Sequence, residues 1–162
     1  MRLSRVRAVA LASVRPCPAS ARGAATAPGP APRAVASAAA ILKLNQQLLD
    51  YVMAGDWTGY ASLCDPSLTC FEAEARGALA QGLGFHKIYY DHAKSPPPPR
   101  VATQASPHVR FVGPRCAVLS YVRLVQSVGA DGAHSTARTE ETRVWERQKS
   151  GWKLVHFHKG CA

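Results

Sequence analysis

Apolar side chains recur at helical spacing near residue 40: Ile41, Leu44, Leu48 and Val52 form one stripe, and Lys43, Gln46, Gln47 and Asp50 lie opposite. That period predicts an amphipathic helix over Ala38–Ala54 with one buried face. Ser37 is placed to cap it, and Gly55 to end it. A shorter helix is expected over residues 57–64, capped by Asp56, with Trp57, Tyr60 and Cys64 on one side. Asp65-Pro66 stops it, because the residue before a proline is pushed out of the helical region. Residues 68–72 have strand composition, and residues 74–84 are irregular, punctuated by Gly77, Gly82 and Gly84. A third helix is predicted over residues 85–94, with Phe85, Ile88 and Tyr89 on one face. Four consecutive prolines within residues 95–100 require an exposed, extended loop.

Beyond this loop the period changes to that of strands. Residues 101–105 and 107–113 read as two short strands, and residues 116–128 are an apolar run whose Val and Tyr content argues against a helix. A turn over residues 129–133 leads to residues 134–148 and 152–159. These last two strands form a hairpin about the turn Gln148-Lys149-Ser150-Gly151. Strict alternation puts Glu141, Arg143, Trp145 and Arg147 on one face of its first strand. On its second strand Lys153, Val155, Phe157 and Lys159 share a face, and Trp152, Leu154, His156 and His158 share the other. Helices followed by an antiparallel meander predict an α+β fold, with the helices packed on one face of a curved antiparallel sheet.

Composition refines this picture at the N-terminus. The 162 residues are 47% apolar, enough for one domain plus an extension. No acid precedes Asp50, whereas six arginines lie within the first 33 residues and contribute more than half of the net charge of +10, leaving +4 for the rest. The high pI therefore does not point to nucleic-acid binding by the folded part. Residues 1–37 have the Arg-rich, Ser-containing, acid-poor composition of an organelle transit peptide, or of a disordered Ala/Pro-rich tail. The first reading places the protein in a mitochondrion or chloroplast, the second in the cytoplasm. No run approaches the about 20 apolar residues of a membrane span, so no membrane partner is expected. Five cysteines with no C-x-x-C pair suggest neither a disulfide framework nor a zinc site. Cys64, Cys70 and Cys116 read as small core fillers.

Few motifs carry chemistry. Gly82-Leu-Gly-Phe-His-Lys87 lacks both the third glycine and the preceding strand of a nucleotide loop. Neither H-R-D nor D-F-G occurs, which excludes a protein-kinase catalytic domain from these residues. His156-x-His158 reads as sheet-interface packing in preference to half of a metal centre, so neither a metal nor another cofactor is expected. The cationic set is more informative. Arg123, Arg143 and Lys159 fall on three successive strands; if these strands are neighbours the charges converge on one face, and such a cluster needs carboxylates or an anionic ligand. Glu140 and Glu141 are at hand, so a salt-bridge network and a small-anion pocket both remain open.

The segments Ile41-Leu-Lys-Leu-Asn-Gln-Gln-Leu-Leu-Asp50, Cys64-Asp-Pro-Ser-Leu-Thr69, Phe71-Glu-Ala-Glu74, Phe85-His86 and Pro107-His-Val109 carry a family likeness. Tyr121-Val-Arg-Leu124, Glu140-Glu-Thr-Arg-Val-Trp145, Gly151-Trp-Lys153 and Val155-His-Phe-His158 continue it. In this order, over residues 38–162, the chain resembles the association (hub) domain of calcium/calmodulin-dependent protein kinase II. The resemblance implies a cone-shaped fold of the nuclear transport factor two-like type, with a long N-terminal helix lying in a curved sheet. It also implies homo-oligomers built as rings of dimers, and co-assembly with a kinase hub domain from another chain. A pocket for small carboxylates is implied too, lined by Arg123 and Arg143, with His86 near its mouth. Lys159 stands where one family form has a third pocket Arg, and it lacks the bidentate fork. Trp152, His156 and His158 would then face a partner subunit. No catalytic residue is assigned. The alternative is a pocket enzyme of the SnoaL-like, isomerase type acting on a small acidic substrate, for which Glu72 and Glu74 are the candidate bases.

Overall fold

A computed structural model describes residues 37–93 and 98–160. The transit-peptide or tail reading of residues 1–37 lies outside these residues, apart from Ser37, as does most of the proline loop. The first helix forms where the apolar stripe predicts it, as α1 (Ala38–Ala54). The Ser37 hydroxyl accepts from the Ala40 N–H at its start, and Gly55 ends it in the left-handed region at φ 70°. Helix α2 (Trp57–Leu63) follows, with Asp56 accepting from the Gly59 N–H. Gly59 is required by packing, because a Cβ there would lie 2.4 Å from the Tyr51 ring of α1. Strand β1 (Cys64–Phe71), the short β2 (Ala80–Gln81) and helix α3 (Gly84–Asp91) come next. Four long strands complete the chain: β3 (Arg100–Phe111), β4 (Cys116–Val128), β5 (His134–Gln148) and β6 (Gly151–Lys159).

The strands form one six-stranded sheet in the order β2-β1-β6-β5-β4-β3. Its α+β class agrees with expectation, but the sheet is not wholly antiparallel. β1 runs parallel to β6, so the first and last strands of the domain lie side by side. The pairing is irregular between Cys64 and Thr69, where Pro66 offers no N–H to the ladder. The two short strands expected at residues 101–105 and 107–113 are one strand, β3, interrupted between Ala105 and His108. Ser106 occupies the left-handed region there, at φ 48°. Extra residues of this kind bend the strand that holds them and strengthen its twist.

Helix α1 lies along β3. Gln104 fixes the contact, accepting from Asn45 at 3.0 Å and donating to the Leu42 carbonyl at 2.9 Å. Ile41, Leu48 and Leu49 of α1 meet Leu119, Trp145 and Leu154 of the sheet in one core. Two face assignments need correction. In β6 the pairing shifts between Val144 and Trp145 of β5, so that Val155 is extra. The bulge puts Trp152 and Leu154 on the core side with Phe157, away from the face they would share with His156 and His158 under strict alternation. In α3 the buried residue is His86, whereas Ile88 and Tyr89 are exposed. Among the described residues no helix is long and apolar enough to cross a membrane.

Burial of Leu154 by the bulge has a measurable consequence. Leu154→Ala is expected to cost about 2–5 kcal/mol in chemical unfolding, the range for a truncated core leucine. A change within about 0.5 kcal/mol, typical of a surface site, would place Leu154 outside the core.

Candidate functional site

The inner face of the sheet and the helices enclose a cavity of about 590 Å³. Register decides which side chains reach it. Tyr121 is opposite Glu141, and Glu141 is opposite Lys159, while Arg143 is opposite Phe157. Alternation therefore brings Arg123, Glu141, Arg143, Phe157 and Lys159 onto one wall. The end of α1 supplies Val52 and Met53, the segment after β1 supplies Glu72 and Glu74, and α3 supplies His86, Tyr89 and Tyr90. Arg100, at the start of β3, donates to the Met53 and Val52 carbonyls at 3.2 and 3.3 Å, at the C-terminal end of α1 where positive charge is favoured.

At the centre stands the Glu141 carboxylate, with no exposed side-chain surface. Its Oε2 accepts from Arg143 Nη2 at 2.8 Å and Nε at 3.0 Å, and from the Tyr121 hydroxyl. Arg123 Nη1 lies 3.1 Å from Oε1, as an ion pair without hydrogen-bond alignment. Burial alone would raise the Glu141 pKa, but the charges of Arg143 and Arg123 outweigh it and hold the carboxyl below the usual range. Burial raises the Tyr121 phenol, and Glu141 adds to that, so it remains a donor. Burial works against the Arg143 charge, and Tyr121 and Glu141 more than restore it. The guanidinium also sits over the rings of Phe157 and Tyr121, 5.5 and 5.9 Å from their centroids. Two guanidinium nitrogens on this wall, Arg123 Nε and Arg143 Nη1, are buried without a hydrogen-bond partner.

The sequence offered a salt-bridge network or an anion pocket, and the fold contains the network. Glu141 is its hub. Glu140 points outward and pairs with Arg138 on the exposed surface. The remaining predicted residues are also accounted for. Lys159 reaches Glu74 at 2.6 Å and Glu72 at 3.9 Å, so its charge is already opposed by carboxylates. Burial raises the Glu74 pKa, but the Lys159 contact brings it below the ordinary value. His86 is buried, not placed at an open mouth: its Nε2 is 3.1 Å from Glu72 Oε1 and 3.4 Å from Cys70 Sγ. Cys70 is buried, as a core filler would be, but its thiol also belongs to this polar group, 3.9 Å from Glu72. Its pKa is pushed up to about 12 by burial and by the neighbouring Glu72.

Trp152 does not join the two histidines: it shares the core-side face of Trp145 and Leu154 and is half-buried beside Phe111, with the ring centroids 6.3 Å apart, while His156 and His158 lie on the other side of the sheet. His156 Nδ1 is 2.8 Å from the Thr69 hydroxyl, and burial followed by the His158 charge lowers its pKa. His158 is exposed, and Phe71 packs against both imidazoles.

A long helix cradled by a curved sheet over a polar cavity defines the nuclear transport factor two-like class of fold. A nuclear transport factor 2-like superfamily protein from Salmonella enterica shares it, with a TM-score of 0.60 over 75% of this chain and 89% of its own, at 22% identity. Residues 37–162 match the calcium/calmodulin dependent protein kinase II association domain, and the chain belongs to that family. A solved structure described as the "Chlamydamonas reinhardtii CamKII hub homology domain" is 51% identical, with a TM-score of 0.73 over 78% of this chain and 99% of its own. The association domain of the C. elegans kinase is 36% identical, with a TM-score of 0.71 over 75% and 92%. The type II alpha chain of Drosophila melanogaster is 39% identical over 123 residues, 75% of this chain. The match covers 23% of that kinase chain and 22% of the delta subunit from Oryctolagus cuniculus, so this chain spans about a quarter of the length of either.

The Glu141 network should make stability depend on acid. Because the folded pKa is depressed, its contribution is fully present above the unfolded value of about 4.3 and is lost as pH falls through the folded value. Glu141→Gln is expected to cost about 3–5 kcal/mol near neutral pH, because two buried guanidinium groups lose their counter-charge. The difference from wild type should shrink below about pH 4, as the native carboxyl protonates. Urea unfolding over that range checks both statements, and a gap independent of pH would contradict them.

Proposed function

We propose that this chain is an oligomerisation module whose copies self-associate through the outer face of the sheet into a ring of dimers. Family membership supports self-association. The observation that carries the choice of surface is the aromatic patch there: Phe71, 38% exposed, packs against the imidazoles of His156 and His158. Contiguous exposed apolar groups rimmed by polar ones are characteristic of interfaces. A hub domain of a kinase chain presenting the same face would be a further partner. A mitochondrial or chloroplast address follows if the N-terminal segment is cleaved, and sequencing the mature N-terminus tests it. Native mass spectrometry is expected to give a ring-sized multimer that Phe71→Glu with His158→Glu dissociates. A chain that is monomeric at micromolar concentration contradicts the proposal.

The cavity is the second half of the reading, as a site for a small carboxylate. Four cationic side chains line it against three acidic ones, and Arg123 Nε and Arg143 Nη1 are donors without acceptors. Bidentate recognition of carboxylate is what a guanidinium does best. Arg123 is the residue to test, since removing Arg143 would strand Glu141 in the core. Succinate is expected to raise the melting temperature of the wild type, and Arg123→Gln to abolish that rise. An equal rise in the variant excludes this site. The enzyme alternative is not favoured: of its two candidate bases, Glu72 faces His86 with one oxygen and Lys159 with the other, and Glu74 pairs with Lys159.

A further inference from the structure

Cys70, Glu72 and His86 are widely different in chemistry and separated in sequence, yet the fold brings their donor atoms together. Alternation along β1 turns Cys70 inward, and Glu72 follows two residues later, just beyond the strand. The backbone pair Cys70–Ala80 ties β2 to β1, and α3 begins soon afterwards, which returns His86 over the end of β1. The three donor atoms all lie within 4.8 Å of one another. Cys70 Sγ is 3.4 Å from His86 Nε2, His86 Nε2 is 3.1 Å from Glu72 Oε1, and Glu72 Oε1 is 3.9 Å from Cys70 Sγ. Ligand atoms around a tetrahedral Zn²⁺ are spaced about 3.2–3.7 Å, given Zn–S near 2.3 Å and Zn–N and Zn–O near 2.0 Å. Of the three distances, 3.4 Å lies within that range, 3.1 Å just below it and 3.9 Å just above it.

We propose that Cys70, Glu72 and His86 form a mononuclear zinc site in the cavity wall, with its fourth position open to water or a small anion. Thiolate, imidazole and carboxylate together select a borderline-soft ion, and Zn²⁺ accepts this mixture without a geometric preference of its own. The charges balance, because one thiolate and one carboxylate neutralise the dication. Binding releases the Cys70 thiol proton to solvent. Glu72 and His86 line the cavity, which supplies the open position and an entry path. The imidazole is held in place by rings on three sides: Phe157 at 5.5 Å, Phe85 at 5.6 Å and Tyr60 at 5.8 Å. Lys159 is the nearby cation. Its closer partner is Glu74, and it lies nearest the other Glu72 oxygen, so Oε1 remains the ligand atom. His86 Nδ1 has no hydrogen-bond partner, and metal sites without that outer support bind about 10–100-fold more weakly. The site therefore calls for a titration and not only for metal analysis of purified protein.

The test uses the full chain, stripped of metal under reducing conditions. Zn²⁺ titrated by calorimetry is expected to bind at one equivalent per chain, and Cys70→Ser to weaken it by more than about tenfold. Co²⁺ should give a thiolate charge-transfer band in the wild type that Cys70→Ser removes. Glu72→Gln provides a second variant should Cys70→Ser fail to fold, judged by circular dichroism of the metal-free protein. Binding absent from the wild type overturns the proposal. So does binding or a thiolate band that survives in Cys70→Ser, since the metal then sits on Cys17, Cys161 or the His156–His158 pair.

Discussion

Everything in the interior of this domain is arranged around the Glu141 carboxylate. It is buried in the middle of the sheet, where an isolated charge would cost several kcal/mol, and it is ionised because Arg143 and Arg123 flank it. That arrangement exists only in one register. A shift of β4 against β5 by one residue would turn Tyr121 and Arg123 to the outer face and leave Glu141 with half its partners. The network thus specifies strand pairing as well as local charge, and the helices close over a wall whose polarity is already fixed.

The patterns that were legible in the sequence were those set by a single short-range period. The stripe of α1 with its Ser37 cap and Gly55 stop needed no tertiary information, nor did the alternation that puts Glu141, Arg143 and Trp145 on one face. The failures occurred where tertiary pairing breaks the period. The bulge at Val155 carries no turn residue, so strict alternation places Trp152 and Leu154 on the wrong face. Ser106 takes a left-handed conformation that Gly or Asn would have advertised, and one strand looked like two. The parallel partnership of β1 and β6 joins segments about 90 residues apart, which a local pattern does not encode.

The site was legible in its cations and obscure in its acids. Arg123, Arg143 and Lys159 stood out because charge in half-buried strands demands a reason. Glu72 is legible only as a candidate base of the enzyme alternative, and Cys70 only as a core filler, because nothing local in the sequence joins the two. Their importance depends on α3 folding back, and the only sign of that was a His on a helix whose apolar face pointed elsewhere in the simple reading. The face was misassigned because Ile88 and Tyr89 are apolar yet exposed, while the polar His86 is buried among aromatic rings. Burial in α3 follows what the cavity requires of that helix, not its hydrophobicity.

Stability alone gives little reason to keep so much charge in this core. A well-packed apolar set of similar volume commonly matches or exceeds a buried ion-pair cluster. The cluster does something an apolar filling does not, which is to maintain a polar cavity whose charges are nearly balanced before any ligand enters. Arg123 and Arg143 share Glu141, and Lys159 is divided between Glu72 and Glu74. An anion entering such a site must compete with internal carboxylates for donors, and its net gain rests on the guanidinium nitrogens left without acceptors and on the excess positive charge of the lining. A cation entering the opposite corner meets the reverse arrangement, where Glu72, Cys70 and His86 offer lone pairs and Lys159 opposes it. One cavity therefore presents two electrostatic ends, and Lys159, on the last strand, sits at the boundary between them.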